Sequence, residues 1–228
     1  MRLPLIVPAL LFQLGLASVD ATAAGAPGKA AATPAKNAPS GAAATTTLAK
    51  ATFAGGCFWC METAFEGMQG VKSVISGYTG GPERNPTYEQ VSSKRTGHSE
   101  AVQITFDPKV ITYAQLLDTF WHNVDPTDAG GQFCDRGPEY RSEIYVHDAA
   151  QKKLAEETKR ALETTPQRFK KPIVTKILSA TEYWPAEEYH QDFYMKNPMR
   201  YHEYRNGCGR DRRLTELWGK PGRQGEAK

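Results

Sequence analysis

The pattern of apolar and polar positions divides the chain into segments of different character. Residues 3–17 form one short apolar run, which is followed by small residues. Residues 24–49 are mostly Ala, Pro, Thr, Gly and Ser and show neither a helical nor a strand period. Periodic apolar segments alternate with turn formers further along, which predicts one folded domain over residues 50–219. Residues 220–228 lack this pattern and are predicted to form a frayed tail.

The first two segments indicate export rather than a fold. An arginine precedes the apolar run, and residues 21–23 offer small side chains for cleavage, as in a secretory signal peptide over residues 1–23. The alternative is a retained membrane anchor, but Pro8 and Gln13 interrupt the short run. Residues 24–49 are predicted to form a flexible linker. We therefore expect a periplasmic or secreted protein.

Strands and helices alternate irregularly in the predicted domain. KATFAGG is predicted to be a strand ending in a Gly-Gly turn, and Cys57 begins a helix with apolar residues at helical spacing. HSEAVQITFDP alternates as strands do, and VKSVISGYTGG, RSEIYVH and PIVTKIL are further predicted strands. Capping residues at Thr112 and Asp148 begin two more helices, and Pro185 begins a short one. This mixture predicts an α+β two-layer sandwich.

Two stretches are predicted to be largely irregular. PERNPTYEQVSSKRTG is rich in turn formers, and EYRNGCGRDRRLTELWG is predicted to be a glycine-rich loop followed by a helical turn or two. The formal charge of the 228 residues is +3, and the basic residues do not form one long block. No nucleic-acid partner is therefore expected.

Four cysteines are present, and one of them has the surroundings of a nucleophile. An even number in an exported chain allows two structural disulfides, although a domain of this size does not need them. Cys57 follows Gly55 and Gly56 at a predicted helix start, where backbone N–H groups and the helix dipole favour a thiolate. Cys57 is therefore the candidate nucleophile, and the alternative is a buried structural cysteine.

The stretch CFWC, residues 57–60, also fits a dithiol redox motif. Two bulky aromatic residues between the cysteines are unusual for a surface that admits many protein disulfides, and they suit the walls of a small apolar pocket. A zinc site needs a second ligand pair, and neither Cys134 nor Cys208 has a Cys or His two to four residues away. The histidines show no ligand spacing either, so no metal is predicted.

Glu100 lies on the predicted strand face that carries Val102, Ile104 and Phe106. A carboxyl group among apolar side chains has a raised pKa, because burial disfavours its charged form. Such a group can donate a proton near neutral pH. The alternative is a glutamate that turns out to solvent at the end of the strand.

Loops supply further polar candidates. Asp135 and Tyr140 lie in CDRGPEYRS, before a predicted strand, and Tyr88 lies in the irregular segment; tyrosine hydroxyls can polarise a substrate oxygen. Cys208 is flanked by glycines near the C-terminus and can resolve an oxidised Cys57 as a disulfide. The alternative for Cys208 is a permanent bridge, for which Cys134 is a candidate partner.

Six motifs occur in one order along the chain: GGCFWCME, GYTGG, NPTYEQV, TGHSEAVQITFDP, FCDRGPEYRS and YHQDFY. Together they resemble peptide methionine sulfoxide reductases of the A type, over about residues 52–218. The resemblance implies a ferredoxin-like core and the thiol-dependent reduction of methionine S-sulfoxide, free or in proteins. The roles that it implies are nucleophile for Cys57, methyl-group contacts for Phe58 and Trp59, acid for Glu100, oxygen-binding hydroxyls for Tyr88 and Tyr140, and a pocket carboxylate for Asp135.

The resemblance also implies a reaction course. Cys57 becomes a sulfenic acid, a resolving cysteine forms a disulfide with it, and an external thiol protein reduces that disulfide. We expect Cys208 to be the resolving residue, a thioredoxin-like reductant, no metal or organic cofactor, and a monomer. Many members have glycine at the position of Cys60 and two recycling cysteines near the C-terminus, where this chain has one. The alternative functions are a thiol–disulfide oxidoreductase using Cys57 and Cys60, and a binding module without turnover.

Overall fold

A computed structural model describes residues 47–165 and 169–219. The predicted signal peptide, nearly all of the predicted linker and the predicted C-terminal tail lie outside these residues. The first strand begins at Ala49, next to the predicted start of the domain. None of the described helices combines the length and the apolar content required to cross a membrane.

The described residues form strands, α-helices and one 3₁₀ turn over Pro138–Tyr140. The strands are β1 (Ala49–Gly55), β2 (Val71–Thr79), β3 (Ser99–Phe106), β4 (Gly131–Gln132), β5 (Asp135–Arg136), β6 (Ser142–Val146), β7 (Lys176–Ser179) and β8 (Trp184–Pro185). The helices are α1 (Phe58–Phe65), α2 (Tyr88–Ser92), α3 (Tyr113–His122), α4 (Ala149–Thr164), α5 (Phe193–Lys196), α6 (Pro198–Gly207) and α7 (Arg210–Trp218).

The main sheet has the strand order β7-β6-β1-β3-β2-β8. Its centre is built from β1-α1-β2-β3-α3-β6, and the four central strands pair antiparallel in the order β6-β1-β3-β2. This is the split β-α-β arrangement of a ferredoxin-like fold. Helices α1 and α3 pack on the sheet and on each other, and α4 packs on α3 and β6. The predicted α+β two-layer sandwich is confirmed.

Local sequence explains the elements that frame the site. The hydroxyl of Thr112 accepts the N–H of Gln115 at 3.3 Å, and the Gln115 amide oxygen accepts the N–H of Thr112 at 2.9 Å. This capping box begins α3 as predicted. The apolar face of α3 packs against β1, where the ring centroids of Phe53 and Phe120 are 5.0 Å apart. Burial of these aromatic rings fixes α1, α3 and the sheet as one core.

Three local predictions are wrong. The irregular segment contains α2, because Thr87 and Gln90 form a capping box that sequence analysis overlooked. Pro185 does not begin a helix; it pairs with Gly77 in the edge strand β8, where a missing N–H is tolerated. The C-terminal segment is mostly helical, since α6 and α7 continue almost to its end and only Cys208 and Gly209 separate them.

Candidate active site

A close-packed glycine turn places Cys57 at the start of α1. A Cβ atom at Gly55 would lie 2.5 Å from the Met61 sulfur, and one at Gly56 would lie 2.6 Å from Cβ of Gln132. Gly56 also has a φ of +81°, which favours glycine. These two positions let β1 turn directly into α1 beneath neighbouring side chains. Cys57 is the N-cap residue, and its carbonyl accepts the N–H of Cys60 at 3.1 Å.

The carboxyl group of Glu100 shares the helix start with Cys57. The N–H of Phe58 donates to Oε2 of Glu100 at 3.1 Å. Glu100 is 2% exposed, so the prediction that it faces the core is confirmed. The pKa of Glu100 is raised to about 8, mainly by burial and also by Asp135 and Glu139, while the Phe58 hydrogen bond opposes the shift. A carboxyl group with this pKa is largely neutral at pH 7.

The thiol of Cys57 is buried as well. Burial raises the pKa of Cys57 well above its usual value, and contacts with Cys60 and Glu100 raise it further, while a hydrogen bond with Tyr204 lowers it. Burial therefore opposes the thiolate that the helix start favours at Cys57. The position of Cys57 at the helix start does not by itself make its thiol ionise. The N–H of Phe58 donates to Glu100, and burial disfavours a charged sulfur.

Cys60 is the second sulfur of this buried cluster. Cys57 and Cys60 are both free thiols and are hydrogen-bonded to each other. The bond from Cys57 is the main cause of a lowered pKa of about 6 at Cys60; Arg210 and Arg205 also lower this pKa, and burial opposes them. The ionisation of each sulfur therefore depends on that of the other.

The two tyrosines predicted for the site lie near Glu100 and Cys57. Tyr88 begins α2, and burial raises its pKa to about 12, with Glu100 and Cys57 adding to the shift. Tyr140 ends the 3₁₀ turn, and burial followed by Glu100 raises its pKa. In the described part of the chain, neither hydroxyl has a hydrogen-bond partner. Both phenols stay protonated and are available to a substrate oxygen.

Asp135 is linked to Cys57 by Tyr204, a residue that sequence analysis overlooked. The hydroxyl of Tyr204 donates to Oδ2 of Asp135 and also hydrogen-bonds to Cys57. Burial raises the pKa of Asp135, and Tyr204 opposes the shift. Tyr201 and Tyr204 are three residues apart on α6 and pack against the sulfur cluster. That helical spacing is a signal in the sequence, but the predicted glycine-rich loop includes Tyr204, and Tyr201 lies in no predicted element.

An aromatic wall stands beside the sulfur. Trp59 stacks on Phe193 with centroids 3.7 Å apart and planes 5° apart, and its Nε1 donates to Nδ1 of His190 at 3.1 Å. Burial lowers the pKa of His190 to about 4, so this imidazole is neutral and able to accept the bond. Phe58 is buried beneath, with its ring 4.9 Å from His190. Trp59 remains half-buried and presents its ring to the site.

Cys134 and Cys208 form a disulfide next to this site. This is the pairing that sequence analysis considered as the alternative to resolution by Cys208, and the resolving role stays a prediction. Cys134 is exposed, and Cys208 lies between α6 and α7 with its sulfur 4.0 Å from Oδ2 of Asp135. Tyr204 and Asp135 thus lie between Cys57 and the disulfide.

One group of carboxylates in the described residues is arranged as metal ligands are. Glu62, Glu66 and Asp192 bring one oxygen each within 4.8 Å of one another. Two of these carboxylates accept hydrogen bonds from the protein. The N–H of Asp192 donates to Glu62 at 3.1 Å, and the hydroxyl of Tyr194 donates to Glu66. Burial raises the pKa of Glu62 to about 7. These bonds explain how the carboxylates can share a small space.

The fold and the site together define a class of protein: a ferredoxin-like α+β oxidoreductase with a buried cysteine beside a neutral carboxyl group. Residues 49–221 match the model of the family described as peptide methionine sulfoxide reductase. The chain belongs to this family, and its activity is the reduction of methionine sulfoxide.

Relatives agree with this family over most of the domain. The chain is 56% identical to peptide methionine sulfoxide reductase MsrA of Bacillus licheniformis over 170 residues, which is 75% of this chain and 93% of that protein. It is 56% identical to the Bacillus subtilis protein of the same name over 169 residues, which is 74% of this chain and 95% of that one.

Solved structures show the same similarity. Reduced Mxr1 from Saccharomyces cerevisiae superimposes with a TM-score of 0.59 at 30% identity, covering 68% of this chain and 88% of that one. Methionine sulfoxide reductase A of Corynebacterium diphtheriae superimposes with a TM-score of 0.59 at 31% identity. The match covers 66% of this chain and 76% of that one.

Proposed function

We propose that Cys57 reduces the S epimer of methionine sulfoxide, free or in oxidised proteins, with Glu100 as the acid. The observation that carries this proposal is the hydrogen bond from the Phe58 N–H to Glu100, which fixes a neutral carboxyl group beside the nucleophile. A sulfoxide oxygen becomes a better leaving group when it is protonated, and a buried carboxylic acid can supply that proton.

The reaction begins when the Cys57 sulfur attacks the sulfoxide sulfur and a sulfur–sulfur bond forms. Glu100 transfers its proton to the sulfoxide oxygen, on which negative charge would otherwise develop. The free hydroxyls of Tyr88 and Tyr140 donate to the same oxygen and stabilise the charge that develops on it. The bond between the sulfoxide sulfur and its oxygen and the sulfur–sulfur bond then break, methionine leaves, and the hydroxyl group passes to the Cys57 sulfur, which becomes a sulfenic acid. The proton that Cys57 loses restores the acid form of Glu100. The sulfoxide sulfur gains two electrons, and the cysteine sulfur loses two.

The aromatic wall supplies the substrate contact. Trp59 is held by stacking on Phe193 and by its bond to His190, so its ring is rigid before the substrate arrives. A rigid apolar face binds the methyl group of the sulfoxide without a large loss of side-chain entropy. The ring of Phe58 lies 6.5 Å from that of Trp59, and Tyr204, which donates to Asp135, packs edge-on against Trp59 at 5.8 Å. These fixed neighbours on a chiral site support the choice of one sulfoxide epimer.

Cys208 resolves the sulfenic acid. When Cys134 and Cys208 are thiols, Cys208 attacks the Cys57 sulfur, a Cys57–Cys208 disulfide forms, and water leaves. Cys134 then attacks Cys208, so that Cys57 is released as a thiol and the Cys134–Cys208 disulfide remains. The Cys134–Cys208 disulfide of the structure fits the product of this second step and supports the proposed route. An external dithiol reduces it, at the exposed sulfur of Cys134, to two thiols.

The external partner that we propose is a thioredoxin-like protein, because the exposed disulfide requires a dithiol of low reduction potential. The N-terminal signal peptide carries the enzyme to the periplasm or outside the cell, so its reductant must also be exported or membrane-tethered. No organic cofactor or metal takes part in these steps. We propose that the enzyme acts as a monomer, and the steps above need only groups of one chain.

The assay that tests this function uses each epimer of a methionine sulfoxide peptide with dithiothreitol as reductant. We expect reduction of the S epimer alone and formation of the thioether peptide. Turnover of the R epimer would contradict the stereochemical part of the proposal. Disulfide exchange without any sulfoxide reduction would overturn the proposal in favour of a thiol–disulfide oxidoreductase. The variant Cys57→Ser is the control, and it should be inactive with both epimers.

A further inference from the structure

Helix α5 packs on α1 and carries Phe193, whose ring stacks on Trp59. The helix spans only Phe193–Lys196, and a helix this short is not stable on its internal hydrogen bonds alone. Asp192, the residue before it, has a φ of +53°, in the left-handed region that residues other than glycine rarely adopt. The position of the Phe193 ring therefore depends on contacts that α5 makes with the rest of the domain.

Two carboxyl groups of α1 and its C-cap accept hydrogen bonds from the residues on either side of Phe193. The backbone N–H of Asp192 donates to Oε1 of Glu62 at 3.1 Å. The hydroxyl of Tyr194 donates to Oε2 of Glu66. The backbone before Phe193 and the side chain after it are thus both attached to one helix.

That helix also carries Trp59, the other ring of the stack. The centroids of Trp59 and Phe193 are 3.7 Å apart, and their planes differ by 5°. The backbone N–H of Glu66 donates to the carbonyl oxygen of Glu62 at 3.0 Å, so the C-cap residue continues the helical path. Positions 59, 62 and 66 therefore lie on one face of α1, by the spacing of helical turns. The ring and the two carboxyl groups form one row against which α5 is placed.

The carboxyl group of Glu62 lies where an apolar side chain would be expected. Glu62 is 0% exposed, and the neighbouring Met61 and Phe65 of the same helix belong to the hydrophobic core. Removal of a carboxyl group from water is costly, whereas an apolar side chain of similar size would avoid this cost. The carboxyl group provides an acceptor for the Asp192 N–H, which an apolar side chain cannot do.

We propose that Glu62 and Glu66 are positioning residues that set the affinity for the sulfoxide substrate. They act by keeping the Phe193 ring against Trp59 and take no part in the chemical step. The proposal rests on the proposed function, in which the Trp59 ring contacts the methyl group of the sulfoxide. A ring that is already fixed binds without losing side-chain freedom, whereas a ring that must first be ordered binds more weakly. Loss of either hydrogen bond should therefore weaken substrate binding and leave the chemical step nearly unchanged.

The test compares KM and kcat for a methionine S-sulfoxide peptide in variants of Glu62. Glu62→Ala should raise KM about tenfold and keep kcat within about twofold of the wild type. Glu62→Gln keeps an oxygen acceptor for the Asp192 N–H and should restore KM to within about twofold of the wild type. A wild-type KM in a Glu62→Ala variant that is folded by circular dichroism would overturn the role of Glu62.

Tyr194→Phe provides the decision if Glu62→Ala does not fold. It removes only the hydroxyl group that donates to Glu66, from a ring that is half-buried. We expect KM to rise about threefold with kcat nearly unchanged. A wild-type KM in this variant would contradict the proposal.

The background Trp59→Ala tests whether Glu62 acts through the aromatic ring. In that background, Glu62→Ala should change KM by less than about twofold, because the ring that it positions is absent. An undiminished effect of Glu62→Ala there would contradict the proposed route.

The matched control is Glu188→Gln. This exposed carboxylate also bonds to α5, but through Lys196 at the end of the helix opposite to Phe193, at 3.0 Å. KM should be unchanged in this variant, and a rise like that of Glu62→Ala would contradict a specific role for the buried carboxyl group. Absence of sulfoxide reduction by the wild type would overturn the proposed function itself, whereas wild-type turnover with unchanged KM in the variants would overturn only this inference.

Discussion

The backbone N–H of Phe58 and the carboxyl group of Glu100 form a hydrogen bond of 3.1 Å across 42 residues of sequence. This bond joins the first turn of α1 to the central strand β3. It places a carboxylic acid beside the sulfur of the neighbouring residue, Cys57. The N–H of Phe58, which would otherwise favour a thiolate at the helix start, instead holds the carboxyl group of Glu100. The geometry therefore favours proton delivery to the substrate over ionisation of the nucleophile.

Substitution of Glu100 by Gln should remove the acid while keeping an acceptor for the Phe58 N–H. We expect the single-turnover rate of methionine formation to fall about 100- to 1,000-fold, because an amide cannot deliver a proton. Rapid-quench measurement of methionine formation checks this value. A rate within a few-fold of the wild type would contradict the acid role.

The pH dependence of the wild type should report the same group. The acid is active only when it is protonated, so kcat/KM should decline as the pH rises through about 8. Steady-state kinetics with a peptide sulfoxide between about pH 6 and about pH 10 would show this decline in kcat/KM. The decline should be missing in the residual activity of Glu100→Gln.

Glu100 should also lower the stability of the protein above acidic pH. Its folded-state pKa of about 8 is higher than the value of about 4.3 in an unfolded chain. The protonated carboxyl group therefore favours the folded state fully below the lower value, and this contribution is lost as the pH rises through the upper one. Glu100→Gln should be more stable by roughly 3 to 4 kcal/mol at neutral pH and little changed near pH 4. Urea unfolding at both pH values measures this difference.

Removal of the two phenolic hydroxyls should slow the chemical step. Tyr88→Phe and Tyr140→Phe each lose one donor to the sulfoxide oxygen, and we expect a loss of roughly 10- to 100-fold in kcat for each. KM should change less, since the hydroxyls act mainly on charge that develops in the transition state. Tyr189→Phe on the exposed neighbouring surface is the control, and a similar loss there would indicate a non-specific effect.

The route of the disulfide can be trapped by substitution. In Cys134→Ser, one turnover should leave Cys57 joined to Cys208, because the second exchange step lacks its nucleophile. In Cys208→Ser, Cys57 should remain as a sulfenic acid that a dimedone-type reagent labels. Peptide mapping by mass spectrometry distinguishes these products. A bridge between Cys57 and Cys60 in the wild type after one turnover would show instead that Cys60 resolves the sulfenic acid.

Substrate binding by the aromatic wall should depend on the hydrogen bond from Trp59 to His190 that orients the Trp59 ring. Trp59→Phe keeps an apolar ring for stacking on Phe193 but loses the hydrogen bond to His190. We expect KM to rise about 3- to 10-fold with a smaller change in kcat, because the methyl contact remains but is less rigid. Trp59→Ala should raise KM considerably further. Equal effects of the two substitutions would contradict a role for the ring itself.

The sequence by itself determined the fold class, the nucleophile candidate and the burial of Glu100. These follow from local rules: strand alternation, a capping pair at Thr112, and a cysteine after two glycines at a helix start. Each rule involves residues that are close together in the sequence, so its pattern can be recognised without the structure. The same rules missed α2 and misplaced the helix at Pro185, because a capping box was overlooked and an edge position tolerates proline.

Only the tertiary structure decided how the groups of the site act on one another. Burial of Cys57 beside Glu100 raises the pKa of its thiol, which the helix position alone had predicted to be low. Tyr204 and Arg210 enter the site from the C-terminal helices, and Cys208 meets Cys134 across 74 residues. Desolvation and charge coupling depend on distances in space between groups far apart along the chain. Those distances are set when the helices pack, and no pattern of neighbouring residues encodes them.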